Sequence, residues 1–546
     1  MLLLVSILGW LLGPAQSRAA EWQWSLALSA GAEHQTGRAF LWIPPQCKQV
    51  RAVVIGQNNM IEQGILEHAA FRRTLAELGI AEIWIVPPTD IVFRFDQGAG
   101  EHFEAMLASL AQESGYGELA FAPVVPLGHS ACASYPWNFA AWNPQRTLAV
   151  LSVHGDAPLT KLTGSGRPSP AWGERSIDGV PGLMVMAEYE WSDARLAPAL
   201  EFRKQHPAAP IAMLAEPGHG HFDYSDELVN YLALFVRKAA ERRLPETTPL
   251  DRPPVLKPVN PADGWLVQRW PFGQPRTLQP APAARYTGDP AEAFWAFDEE
   301  LARATQDHFA GSVGKRPQLL SVTDGQMPLE KGCGEPVKLR FLPQEDGVTF
   351  RLKTAFMEAV PASPTNTNPA RWTGLPGGSP LGHATGGGPI VLSKIVGPAA
   401  KVSADTFVLR LDRAFSTGDR RRFDLWLVAS HPGDGEFKSI VQQALVHLSP
   451  NTEGAPQRIT FPAIPDQKAG VKTLKLAATS DAGVPVYYYV REGPAEVDGD
   501  ELKFTPIPPR SKFPVTITVV AWQWGRATEP KLATAAPVEQ TFLISP

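Results

Sequence analysis

The chain has 546 residues, of which 44% are hydrophobic and 19% charged, enough to bury at least one large core and to divide into two or three domains. A formal net charge of −5 with evenly spread Lys and Arg leaves no basic stripe to neutralise a run of phosphates, which argues against a nucleic-acid partner. Three cysteines, Cys47, Cys132 and Cys333, cannot form a disulfide framework, so folding must rest on core packing.

In chain order, residues 1–20 (MLLLVSILGWLLGPAQSRAA) form an apolar run too short to span a bilayer, followed by small residues, and read as a signal peptide without the usual basic start. This makes the protein secreted or periplasmic, and no later segment is apolar for long enough to cross a membrane. The strands WQWSLAL and RAFLWIP then precede an alternation of β-rich runs and amphipathic stretches within a first domain at 21–245. Its strands are AVVIG (52–56), EIWIV (82–86), FAPVVPLG (121–128), TLAVLSV (147–153), PGLMVMAEYE (181–190) and PIAMLAE (210–216). Helices are expected at EQGILEHAAFRRTLAELG, EHFEAMLASLAQES and DELVNYLALFVRKAAERR. The pattern predicts an α/β class, a largely parallel sheet flanked by helices.

Prolines stud 246–261 and mark a linker. A β-rich middle domain follows at 262–452, with one amphipathic helix over AEAFWAFDEELARATQDHF and a long loop at 361–389. The segment 455–546 shows short strands at even spacing, the mark of a β-sandwich, and resembles immunoglobulin-like modules.

Chemistry concentrates at FAPVVPLGHSACASYPWNFAAWNP, where an apolar strand meets Gly128-His129-Ser130-Ala131-Cys132 and a helix follows. A serine hydroxyl is a weak nucleophile at neutral pH and must stand free of the sheet, near a histidine and beside backbone amides that hold an oxyanion. A sharp strand-to-helix turn, the nucleophile elbow, achieves this, with the amide of Ala131 aimed at the oxyanion. Cys132 occupies the place usually held by glycine and reads as a packed small residue rather than a reactive thiol.

Chain order then requires an acid and afterwards a histidine. The acid candidates, ranked, are Glu190, Glu188 and Asp193 at the end of PGLMVMAEYEWSD; for the base His221 ranks ahead of His219 in Gly218-His219-Gly220-His221. The His-x-His-x-Asp spacing lacks a further ligand cluster, so neither a metal nor any other cofactor is called for. A second oxyanion amide is expected from Asn58, Asn59 or Met60, with Asn59 chosen on position alone. The polar stretch HGDAPLTKLTGSGRPSPAWGERSIDGV, with Trp172, is placed over the mouth of the site; Tyr135, Trp137 and Trp191 are either stacking platforms or core.

With GHSAC, EYEW and GHGHFD in place, residues 40–243 resemble the secreted α/β-hydrolases related to dienelactone hydrolases, feruloyl esterases and polyhydroxyalkanoate depolymerases. The resemblance implies an ester substrate cleaved by two-step acyl transfer. Export, aromatics and sandwich modules favour a carbohydrate-linked or polymeric ester. The competing readings are a noncatalytic polysaccharide- or surface-binding scaffold with a decayed hydrolase unit, and a serine peptidase of the same fold.

Overall fold

The computed structural model describes residues 22–29, 36–155, 157–160, 166–272, 274–334 and 336–546, so the signal-peptide reading of 1–20 and part of the stretch over the mouth lie outside the described residues. The first unit is an eight-stranded sheet built from β1 (Trp24–Leu28), β2 (Gly37–Trp42), β3 (Ala52–Gln57), β4 (Ile80–Val86), β5 (Val124–His129), β6 (Val150–Val153), β7 (Gly182–Ala187) and β8 (Ile211–Glu216). Their spatial order is β1-β2-β4-β3-β5-β6-β7-β8. β1 pairs antiparallel with β2 and β2 with β4, while β3 to β8 run parallel.

Every residue of β3 to β8 is buried, as a parallel sheet covered on both faces requires. Alternation sends Ala52 and Val54 of β3 to one core and Val53 and Ile55 to the other. Helices α1 (Glu62–Leu66) and α2 (Ala69–Leu78) form where one was expected, because the His68 ring accepts the Ala70 N–H and starts a second helix. α3 (Ala99–Ser114), α4 (Tyr135–Trp142) and α5 (Asp193–Gln205) follow, and α6 (Asp226–Arg243) closes the unit. α6 spans the predicted residues: Ser225 caps its N-terminus by accepting the Leu228 N–H at 2.9 Å, acids fill its first turn and arginines its last. Its buried Leu228, Leu232, Phe235 and Val236 each contribute about 1.5–3 kcal/mol by leaving water. This strand order, with helices crossing over between β3 and β4, β4 and β5, β5 and β6, and β7 and β8, and a tight turn after β5, is the α/β-hydrolase fold.

The proline-rich stretch at 246–261 runs along this unit: Lys257 N–H bonds the Arg243 carbonyl at 3.0 Å and Val259 N–H the Gly179 carbonyl at 3.0 Å. The helix expected over 291–309 is instead a strand, Ala293–Ala296, then a helix, Glu299–Ala310. Aromatic Phe294 and Trp295 pair with Trp265–Gln268, and Asp298 caps the helix by accepting the Leu301 N–H. Phe294, Trp270 and Phe309 join the cluster holding Trp137, Met184 and Ile211, so the first core continues past the linker.

Beyond it lies a four-stranded sheet (Val337–Leu339, Ile440–His447, Asp424–His431, Val391–Val396) and a three-stranded one (Thr349–Arg351, Thr406–Leu409, Ala399–Lys401). The segment expected as a long loop at 361–389 contains a short helix, Asn368–Thr373, docked on the first unit. Residues 455–546 form further sheets, the larger of four strands and its partner of three, closed over Tyr488, Leu502, Ile517 and Phe542. Among the described residues no helix is long and apolar enough to cross a membrane.

Candidate active site

The turn after β5 carries the feature that strand and helix spacing announced. Ser130 sits at φ +50°, a left-handed conformation that a non-glycine residue adopts at a cost of about 1–3 kcal/mol. Gly128 is obligatory beneath it, since a Cβ there would lie 2.0 Å from the Cys132 carbonyl oxygen. Cys132 is fully buried against Ile91 and Val92 and tolerates the glycine position because its side chain points into that pocket.

Ser130 Oγ lies 2.6 Å from His221 Nε2, and His221 Nδ1 lies 2.6 Å from Glu190 Oε2. Glu190 stands on a 3₁₀ turn three residues past Ala187, the last residue of β7, and also receives Arg195 Nη1 at 2.6 Å. Burial alone would raise its pKa. The His221 ring and its hydrogen bond, with His154 and Arg195, overturn that and hold the carboxyl well below its ordinary range.

The other candidates do different work. Glu188 accepts the Gly218 N–H at 2.7 Å and pairs with Lys438 Nζ at 2.5 Å, joining the acid turn, the histidine loop and the middle region. His219 Nδ1 meets Asp223 Oδ2 at 2.5 Å, and Asp223 also takes the Gly220 N–H and the Gln443 side chain. Asp193 is exposed in the first turn of α5. The His219 environment pushes its pKa up to about 9: burial opposes this but is outweighed by Glu216 and Asp223. Among the described residues no group of three or more His, Cys, Asp or Glu is placed to hold a metal ion.

Two histidines to which the sequence reading gave no role, His129 and His154, pin the His221 backbone. The backbone carbonyl of His221 receives His129 Nε2 at 2.8 Å and His154 Nδ1 at 3.0 Å. Asn59 Nδ2 approaches His129 Nδ1 at 3.2 Å, which leaves Nε2 to carry the proton donated to that carbonyl. Burial, then the neighbouring His221 and His154, keep His129 well below its normal pKa and hence neutral. His154, at φ +46°, reaches Glu216 Oε2 with Nε2 at 3.1 Å. Its burial favours the neutral ring, but the Glu216 hydrogen bond and the charges of Glu190, Glu216 and Asp223 raise its pKa.

The expected second oxyanion amide is a correction. Asn58 N–H goes to the Ile85 carbonyl at 2.8 Å; Asn59 and Met60 N–H both go to Glu62 Oε2, at 2.9 and 2.7 Å. Glu62 Oε1 takes the His129 N–H at 2.8 Å, so one buried carboxyl, raised to about 7 chiefly by burial, fastens this loop to the elbow and spends its amides. The Ala131 N–H, in contrast, makes no backbone hydrogen bond among the described residues outside its own 3₁₀ turn.

The aromatic platforms also need revision. Tyr135 and Trp137 are core, and Trp172 is buried with Nε1 on Asn138 Oδ1 at 2.9 Å. Trp191, beside Glu190, packs edge-on against Trp270 and stacks with Phe272, which is 49% exposed.

No protein-family model matches the chain, nor does any curated protein sequence. Among solved structures it is similar to an S-formylglutathione hydrolase from Agrobacterium tumefaciens at 12% identity, over 40% of this chain and 94% of that one, with a TM-score of 0.30. It is also similar to a dienelactone hydrolase from Anabaena variabilis (13% identity, 42% and 100% covered, TM-score 0.28). A thermophilic carboxylesterase from a metagenomic library gives 15% identity, 41% and 91% covered, and a TM-score of 0.29. The α/β-hydrolase assignment above rests on the strand order and connections of this chain itself.

Proposed function

We propose that this protein is an exported serine hydrolase that cleaves carboxylic esters, carbohydrate-linked or polymeric, with Ser130 as nucleophile, His221 as general base and Glu190 as the acid. The observation that carries the reading is the unbroken chain Ser130 Oγ–His221–Glu190, 2.6 Å at each link, mounted on a strained turn. In this mechanism His221 Nε2 takes the Ser130 proton as Oγ attacks the ester carbonyl, and Glu190 stabilises the imidazolium. The Ala131 N–H meets the developing oxyanion. His221 then protonates the departing alkoxide, and water, deprotonated by the same ring, releases the acid and restores Ser130. The half-exposed Phe272 beside Trp191 supports a ring-bearing substrate such as a sugar.

The test is hydrolysis of p-nitrophenyl acetate and intact-mass detection of a fluorophosphonate adduct, beside Ser130→Ala. Turnover and labelling that vanish together in the variant support the proposal. A folded protein that neither turns over nor labels rules it out in favour of a noncatalytic scaffold.

A further inference from the structure

Two arginines of the middle region reach the loops that frame Ser130. Arg371, on the helix Asn368–Thr373, donates Nη2 to the Tyr189 carbonyl at 2.7 Å, in the turn that carries Glu190, and to Asn368 Oδ1 at 3.1 Å. Arg421 donates Nη1 to the Asn59 carbonyl at 2.6 Å and to Asn59 Oδ1 at 2.9 Å, in the loop fastened to the elbow. Each guanidinium spends one nitrogen on its anchor and keeps the rest of its five donors. Both side chains belong to exposed residues, and among the described residues neither forms an ion pair. Several buried or half-buried arginines elsewhere are matched to acids: Arg72 to Glu82, Arg146 to Glu104 and Arg195 to Glu190.

Anchoring matters because a long side chain held in place before binding loses less entropy when it binds. The carboxylates that share a cavity with these arginines have other partners: Glu190, beside Arg371, is held by His221 and Arg195, and beside Arg421 Asp412 accepts the Ala414 N–H, Asp419 the Arg421 N–H, and Asp424 pairs with His447. Arg371 also borders a cavity of about 150 Å³ shared with His221, Phe222 and Trp372. That is the size that admits one six-membered ring. Trp372 stacks on Tyr189 at 4.5 Å, and both rings line that cavity.

Resting on the esterase reading above, we infer that the ester bears carboxylates, and that its class is an esterified polyuronate whose charges are gripped by Arg371 and Arg421. A guanidinium with free parallel N–H groups meets a carboxylate through two charge-assisted hydrogen bonds, which a neutral glycan does not offer.

The experiment uses the full chain with acetylated oligogalacturonate and with the same oligomer after its carboxylates are converted to primary amides. The ratio of kcat/KM, charged over amidated, is expected to be at least about tenfold at low salt and to fall as ionic strength rises. Arg371→Gln and Arg421→Gln should each lower that ratio several-fold, and the double variant should bring it near one. A wild-type ratio near one, or a ratio that the double variant leaves intact, overturns the inference. Because the wild-type ratio and its salt dependence stand alone, an unfolded variant does not shield the proposal. Fluorophosphonate labelling separates the two levels: labelling with no charge preference sinks only the polyuronate assignment, and absence of labelling in folded protein sinks the esterase reading beneath it.

Discussion

Glu190 and Glu188 are two residues apart on one turn, yet their partners predict opposite phenotypes. In Glu190→Gln the neutral amide faces an imidazole 2.6 Å away that must become an imidazolium during catalysis, and Arg195 loses its carboxylate. Replacing a charge-assisted hydrogen bond by a neutral one, and allowing the amide NH2 to favour the wrong tautomer, costs about 3–5 kcal/mol at the transition state, or about 10²–10⁴ in kcat. Glu188→Gln instead breaks a largely buried pair with Lys438, the two side chains being 8% and 14% exposed. The expected loss is about 3 kcal/mol of stability with kcat within about tenfold of wild type. Steady-state kinetics on p-nitrophenyl acetate and thermal melts of both variants decide it. A Glu188→Gln protein that melts like wild type but loses as much kcat as Glu190→Gln would refute the assignment.

Three further outcomes follow from neighbouring contacts. His154→Leu should lower kcat with little change in KM, because the His221 carbonyl loses one of two donors, and His154→Asn should restore part of it by replacing the Nδ1 donor. Equal kcat for Leu and Asn would remove His154 from the positioning of the base. His219, with its pKa raised to about 9, stabilises the fold fully below the unfolded-state value of about 6.5 and loses that contribution as pH rises through about 9. Melts of His219→Gln should therefore fall furthest below wild type under mildly acidic conditions and converge with it above pH 9. At the elbow, Gly128→Ala puts a methyl 2.0 Å from the Cys132 carbonyl oxygen and should abolish fluorophosphonate labelling, whereas Cys132→Ala should retain it.

The sequence was most informative where chemistry and local structure coincide. An apolar strand, a small-residue turn and a helix in direct succession over 124–142 left little freedom at Ser130, and the exchange of strand for 3₁₀ turn after Ala187 is what brings Glu190, rather than Glu188, against His221. Local patterning failed where tertiary pairing outweighed it: AEAFWAF has helical spacing, but its aromatic pair fills a strand beside Trp265–Gln268 and Asp298 resets the helix start. The loop after β3 was misread because position identifies a loop and not the destination of its amides. Glu62 looked like an ordinary first-turn acid of α1, and only its burial reveals that it collects the N–H groups of Asn59, Met60 and His129. Lys438, Gln443, Arg371 and Arg421 reach the site from 180 or more residues away in the chain, and no short-range spacing links them to it.

The partners around Ser130 also fix where charge is available to a substrate. Glu190 is matched by His221 and Arg195, Glu188 by Lys438, Glu216 by His154, and Asp223 by His219. Each buried carboxylate near the base thus has a cationic or proton-donating partner, as low dielectric demands. Arg371 and Arg421, both exposed, lie outside this matched set on the same loops and form no ion pair among the described residues. A floor of paired charges ties His221 to Glu190, and in the proposed polyuronate reading the rim of exposed guanidiniums is what draws the anionic substrate. The proposal therefore assigns the two layers to different terms: substitutions in the floor should act on kcat, through the geometry of His221, and those in the rim on kcat/KM, through the charge of what arrives.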